Sequence, residues 1–318
     1  MARWPLLSFA CVAGVLCCIS ATVAAPIDFV YVADAGNDPD ESTVVNAGSV
    51  GYDYYIGKYE VTNSQYAEFL NAVAADDPAG LWDAGMQGDH IGQSGSPGSF
   101  SYAPVAGNEN KPVAFVDWED ALRFCNWHHN ARPSGTQGAE TTETGAYNLL
   151  GPEPYERESG AMYFLPDEDE WHKAAYYKGG GLSAGYSDYA TQSDTAPTDE
   201  APAGGTNSAN CNDAVGETTE VGAYTASLSA YGTCDQNGNV REWTETAYGV
   251  DSHIVRGGSF NDAPWGKMRL EAETREFVDN ETHETNLGFR VGAYVPEPMA
   301  LTLLLAGSGV ALLRRRRR

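Results

Sequence analysis

The sequence predicts one mixed domain of helices and strands, with long ordered loops around a small regular core. Three observations lead there. The composition favours structured loops, with 35 Gly, 18 Tyr and 7 Trp among 318 residues. Three segments carry apolar residues at helical spacing behind a capping side chain, the first of them preceded by a strand-like run. Over residues 27–294 no long linker and no internal repeat interrupts the chain, so a single domain is expected there.

The elements follow in order. Residues 4–25 form an apolar run behind Arg3 and close on Ala21, Ala24 and Ala25. Starting at the initiator Met and ending in small residues, residues 1–25 read as a secretory signal peptide rather than a buried helix. The run Tyr54–Val61 is strand-like. Thr62 then caps a helix, with Gln65 completing a capping box. Tyr66, Phe69, Leu70 and Val73 form its apolar stripe, and Asp76-Asp77-Pro78 ends it. A second helix starts at Asp117, buries Trp118, Ala121, Leu122 and Cys125, and ends at His128-His129-Asn130. Adjacent histidines point to different helix faces and cannot chelate one metal; as cations they would suit the helix C-terminus. The third helix begins at Asp167, with Glu170 in the reciprocal position and Trp171, Ala174 and Ala175 facing inward. His172 is expected on its exposed side, and Lys178-Gly179 closes it. Further on, Gly257-Gly258 permits backbone conformations and close approaches that other residues resist. Gly288, before an aromatic and an arginine, suggests a strand that ends the core.

Charge and cysteines bound the function. The net charge is −25, and near −30 once Arg3, the five terminal arginines and Glu297 are set aside. Such a surface repels nucleic acid and anionic membranes. Cys11, Cys17 and Cys18 leave with the signal peptide, so Cys125, Cys211 and Cys234 allow at most one internal disulfide. Cys211 with Cys234 is the expected pair, since both lie in loop-like sequence while Cys125 sits on a helical apolar face. At the other end, Pro296-Glu297-Pro298 precedes an apolar stretch from Met299 to Leu313 and then Arg314–Arg318. The stretch is short for a span of about 20 residues, and terminal arginines favour the cytoplasmic side. Residues 295–318 resemble the PEP-CTERM sorting signal of Gram-negative bacteria. That resemblance implies an exosortase as partner, a transient membrane anchor, and a final place at the periplasmic face, the cell surface or the extracellular polysaccharide. A plain tail anchor is the alternative.

Six landmarks occur in one order: Ile56–Asn63; Pro112-Val113 with Trp118 and Ala121; Leu165-Pro166-Asp167 with Glu170-Trp171; Gly238-Asn239-Val240 with Glu242-Trp243; Arg256-Gly257-Gly258-Ser259-Phe260; and Asn286-Leu287-Gly288-Phe289-Arg290. In this set the chain resembles the formylglycine-generating enzyme (sulfatase-modifying factor) family. The resemblance implies a compact, loop-rich α+β fold related to C-type lectins, with few helices and short antiparallel strands. It also places the family's reactive cysteine pair at Asp262 and Lys267. Neither side chain forms a thiolate or binds copper(I) as a soft ligand, so no copper is expected. Facing one another, the two would form a salt bridge. No activated serine is evident at Ser259.

A calcium site is the best candidate chemistry. Asp235 and Glu242 stand seven positions apart around a glycine turn, and calcium accepts carboxylates and carbonyls together. An Asn-Gly hairpin with solvated acids is the plain alternative. Carried over from the family, the ligands are the side chains of Asp235 and Glu242 and the carbonyls of Gly238 and Val240, with aspartate where the family more often has asparagine. A weaker family site falls on Asn210 and Asp213, with the carbonyls of Cys211 and Val215; the same loop also reads as ordinary polar sequence. His90, His253 and His283 are isolated, and no spaced His-His-carboxylate set appears. Trp82, Tyr102, Trp243 and Trp265 are candidate surfaces for polysaccharide or peptide, although each residue type is more often core. Three functions stay open: a non-catalytic binding or matrix module, a sulfatase-modifying oxidase, and another enzyme on the same scaffold.

Overall fold

Two four-stranded sheets frame the core. The computed structural model describes residues 26–44, 46–263 and 266–294; the expected signal peptide, the C-terminal sorting signal and Trp265 lie outside the described residues. In chain order come β1 (Phe29–Val32), β2 (Tyr54–Gly57), α1 (Asn63–Val73), β3 (Ile91–Ser94), β4 (Ser101–Pro104), α2 (Trp118–His129), β5 (Tyr163–Phe164) and α3 (Glu168–Tyr176). The second half adds β6 (Thr198–Asp199), β7 (Ser208–Ala209), β8 (Arg241–Ala247), β9 (Ser252–Arg256), α4 (Gly266–Arg269), β10 (Glu276–Asp279), β11 (Leu287–Gly288) and β12 (Gly292–Tyr294). One sheet runs β1-β2-β12-β5, so the last strand closes the N-terminal sheet. The other runs β10-β9-β8-β11. Pairings are antiparallel except β8 with β11 and β6 with β7. The strand-like run from Tyr54 stays regular only to Gly57; beyond it Val61 donates its N–H to the Phe289 carbonyl at 2.9 Å.

Local chemistry accounts for the helices. Thr62 accepts the Gln65 N–H at 3.3 Å and Gln65 returns the bond at 2.9 Å, satisfying two of the helix's orphan donors. Asp117 accepts from Asp120 N at 2.7 Å, and Asp167 and Glu170 form a second reciprocal box at 2.7 and 2.8 Å. The stripes of α1 and α2 meet in one aromatic core. Tyr66 stands edge-on to Phe69 at 5.4 Å, and Phe124 edge-on to Phe289 at 5.3 Å. Each such side chain, fully buried, contributes roughly 1.5–3 kcal/mol of transfer free energy.

Four expectations are corrected. α3 ends at Tyr176, short of Lys178, because Tyr177 turns extended (ψ 132°) to bridge Tyr186. His172 is fully buried, since this helix is packed on every side. Its Nε2 faces Asp40 Oδ2 at 3.1 Å, and its Nδ1 meets the Arg256 guanidinium. His128 is no helix-end cation: burial pushes its pKa down to about 3, and its ring packs on Phe124 at 4.7 Å. Cys211 and Cys234 are not joined, and all three described cysteines are buried free thiols. Among the described residues no helix is long and apolar enough to cross a membrane.

Candidate functional site

The landmark loops converge behind β8. Gly238 has φ +92° and lies so close to the Asn210 carbonyl that a Cβ would overlap it. Gly257 (φ +96°) passes its carbonyl to the Gly238 N–H at 2.8 Å and would set a Cβ against the Trp171 ring. These two glycines let the 235–242 turn, the 257–260 turn and the loop at Asn210 share one small volume.

A buried charge cluster occupies that volume. Glu242 and Arg290 are both wholly buried and pair in fork geometry, Nε to Oε2 at 2.5 Å and Nη2 to Oε1 at 2.6 Å. Trp171 Nε1 adds a bond to the same carboxylate at 2.7 Å. Arg290 also donates to the carbonyls of Gly57 and Cys234, each at 3.0 Å. Burial works against the guanidinium's charge, yet Glu242 outweighs it and the Arg290 pKa is raised. Glu60, 1% exposed, is the third carboxylate at this place. It receives only long contacts, from Asn239 Nδ2 at 3.3 Å and Val240 N at 3.4 Å. Burial, with Asp235 and Glu242 nearby, pushes its pKa well up. Asp235 accepts the Gly222 N–H at 2.5 Å, and burial raises its pKa to about 6.

The structure therefore buries Glu242 and half-buries Asp235 around the turn, unlike an open hairpin with solvated acids. Three carboxyl groups surround one guanidinium, and burial favours the neutral form of Glu60, whose charge a divalent cation would restore. The two Glu242 oxygens, however, are already taken by Arg290 and Trp171. On the upstream loop Asn210 is buried and its Oδ1 has no hydrogen-bond partner, an oxygen free to ligate, while Asp213 is exposed. Glu60 and Arg290 went unassigned in the sequence reading even though both lie inside its landmarks. Their roles depend on partners far away in the chain.

Asp262 and Lys267 do not face each other. Asp262 accepts the Ser259 N–H at 2.7 Å and pairs with Arg269 at 3.2 Å. Arg269 continues to Glu276 at 2.6 Å, which also holds Arg241 at 3.2 Å. Lys267 reaches instead to Asp199 on β6 at 2.7 Å, and Asn212 bonds the other oxygen of that carboxylate at 2.8 Å. Cys211 is the thiol near this place: burial pushes its pKa to about 12, and Asp199, Lys267 and Asp262 all act on it. Cys234, also pushed to about 12 by burial, lies at the Asp235 side. Cys125 is buried in α2 with a raised pKa. None is a thiolate at neutral pH.

The candidate aromatic surfaces divide. Tyr102 and Trp243 belong to the core, and Trp82 is half-buried against it with its indole N–H on the Ile91 carbonyl at 2.8 Å. Among the described residues one trio of metal-ligating side chains converges: Asp117, Asp120 and His283, with ligand atoms mutually within 4.8 Å. Asp117 is the cap of α2 and Asp120 pairs with Arg123 at 3.3 Å, so the trio is part of a capped helix start.

Comparison with known proteins bears on the family and the fold. Residues 30–293 match the family described as "Sulfatase-modifying factor enzyme 1-like domain". The chain is 28% identical over 262 residues to "Chaperone protein LppX" of Paenibacillus barcinonensis, covering 76% of this chain and 80% of that protein. It is 27% identical over 281 residues to the formylglycine-generating enzyme of Mycobacterium tuberculosis, covering 74% and 86%. Treponema denticola variable protein 1 superposes with a TM-score of 0.53 at 18% identity, over 86% of this chain and 98% of that one. The crystal structure of CarF gives a TM-score of 0.53 at 23% identity, over 85% and 99%. These two likenesses show the fold: the α+β, formylglycine-generating-enzyme-like architecture.

Proposed function

Because the chain belongs to the sulfatase-modifying factor enzyme 1-like family, we propose that it is a member that keeps the scaffold without the oxidase chemistry. It acts as an exported binding or structural module, stabilised by calcium. The observation that carries this reading is the bonding at positions 262 and 267. A carboxylate there fixes the Gly-Gly-Ser turn through Ser259 and Arg269, and an ammonium ties α4 to β6. Hard, charged side chains engaged in these pairs offer no soft donor to copper(I) and no nucleophilic sulfur. The nearest remaining thiol, Cys211, is protonated by its burial. A relative named as a chaperone supports a use of this scaffold other than oxidation.

Calcium is supported by the surplus of carboxyl groups over cations here, since the raised pKa values of Glu60 and Asp235 mark charged forms that Arg290 alone does not compensate, and by the orphaned Asn210 oxygen. Asp235 and neighbouring carbonyls would hold the ion, with Glu242 engaged mainly in its guanidinium pair. Export to the cell surface or matrix, through an exosortase, rests on the two terminal segments of the sequence.

Co-expression with a cysteine-type sulfatase tests the central reading. The sulfatase peptide, measured by mass spectrometry, should retain its cysteine; formylglycine in its place would overturn the proposal. For calcium, thermal melts should show a higher Tm with calcium than with chelator, and a smaller gain in Asp235→Asn. Equal gains in both proteins would remove calcium from this turn.

A further inference from the structure

A second, separate cleft has chemistry that the charge cluster lacks. It lies between the start of α2, the 153–157 loop and the β8–β9 hairpin, and holds about 260 Å³. One wall is aromatic. Trp118 stacks on His253 with ring centroids 3.6 Å apart, and the half-buried Tyr155 lies nearly parallel to Trp118 at 6.3 Å.

Beside the aromatic wall stands a matched polar pair, built on the same His253. His253 is only 5% exposed, and its Nδ1 bonds Asn280 Oδ1 at 2.6 Å. Neither His253 Nε2 nor Asn280 Nδ2 has a partner among the described residues, and both residues line the cleft. Burial holds the imidazole neutral, its pKa below the ordinary value. With Nδ1–H donated to Asn280, Nε2 is an acceptor and Nδ2 a donor. The opposite tautomer, with the amide turned over, exchanges the two roles. Either way this pair of lining residues keeps one donor and one acceptor unused, as a sugar hydroxyl requires.

Charge narrows the class further. Glu153 and Glu156 stand exposed at the mouth, and Arg157 is the cation of the lining. Its guanidinium is held by Glu170 at 2.7 Å and Glu245 at 2.8 Å, so it is not free for a ligand anion. Uronates, sulfates and phosphates are therefore repelled. We infer that this cleft binds a neutral pyranose unit of a polysaccharide, its ring face on Tyr155 and its hydroxyls on His253 and Asn280. The inference rests on the binding-module reading and names its ligand class and place.

Affinity electrophoresis of the purified full chain tests it, in native gels containing laminarin, galactomannan or alginate. Retardation is expected in at least one neutral gel and not in alginate. Tyr155→Ala and Asn280→Asp should each weaken it at least tenfold, with unchanged thermal melts. A soluble neutral oligosaccharide from the retarding polymer should also shift the His253 ring resonances of the wild-type protein, which locates the site without a substitution. No retardation in either neutral gel, preference for alginate, or unmoved His253 signals would overturn the inference. Loss of glycan binding leaves the sulfatase-peptide result untouched, so the two readings fail separately.

Discussion

Glu242 and Arg290 hold each other at the centre of the molecule, 48 positions apart in the chain. Removing one partner leaves the other charged and buried, at a cost of about 3–5 kcal/mol. Arg290→Met should therefore lower the urea midpoint sharply, and Glu242→Gln with Arg290→Met should cost less than the two single changes summed. Strict additivity would contradict the pairing. His128 makes a second residue-scale claim. An ordinary histidine has a pKa near 6.5, whereas burial holds this one at about 3. The unfolded chain thus binds the extra proton first, and stability present above pH 6.5 is lost as pH falls toward 3. By pH 5 the loss is about 2 kcal/mol. His128→Phe keeps the ring packing and should lose that much less than wild type between pH 7 and 5; parallel pH profiles would refute it. Burial of this kind was illegible in the sequence, where His128 reads as a helix-end cation and His172 as an exposed residue. The partners that bury His172 include Asp40, 132 positions away.

At the scale of elements the sequence was most legible where chemistry is local. Capping residues followed by 3.6-residue apolar stripes place all three long helices, because the cap and the stripe act within one or two turns. Thr62→Ala should cost about 1 kcal/mol in thermal or urea unfolding, through loss of one bond of the box. Helix α3 was less legible at its far end, since a bridge to Tyr186 outweighs the glycine stop. The 54–61 run likewise breaks into a four-residue strand and an irregular pairing with Phe289, which no local pattern announces. Gly238 shows what the turns demand. Alanine there carries about 1–2 kcal/mol of left-handed backbone penalty, plus overlap with the Asn210 carbonyl. Gly238→Ala should lower Tm more than Thr62→Ala; an equal or smaller effect would mean the turn can relax.

Across the whole molecule, the order of the landmarks identified the fold, because the loops that carry them must meet for the core to close. The candidate site was half legible. Asp235, Gly238 and Glu242 do share one turn, and Asp262 and Lys267 do sit on the loop and short helix after the Gly-Gly-Ser. Which charges pair was not legible: Lys267 finds Asp199, and Asp262 finds Arg269, through contacts made only in three dimensions. The proposed exchange of sulfur for charge at these two positions is the basis of the proposed function. Copper(I) titration of the purified chain without residues 1–25 and 295–318 against a chromophoric chelator measures it most directly, with Asp262→Cys/Lys267→Cys as the thiol-bearing reference. The account predicts that the wild-type chain leaves all the metal with the chelator. One equivalent of copper(I) held by the wild-type protein, and released when its thiols are alkylated, would contradict it.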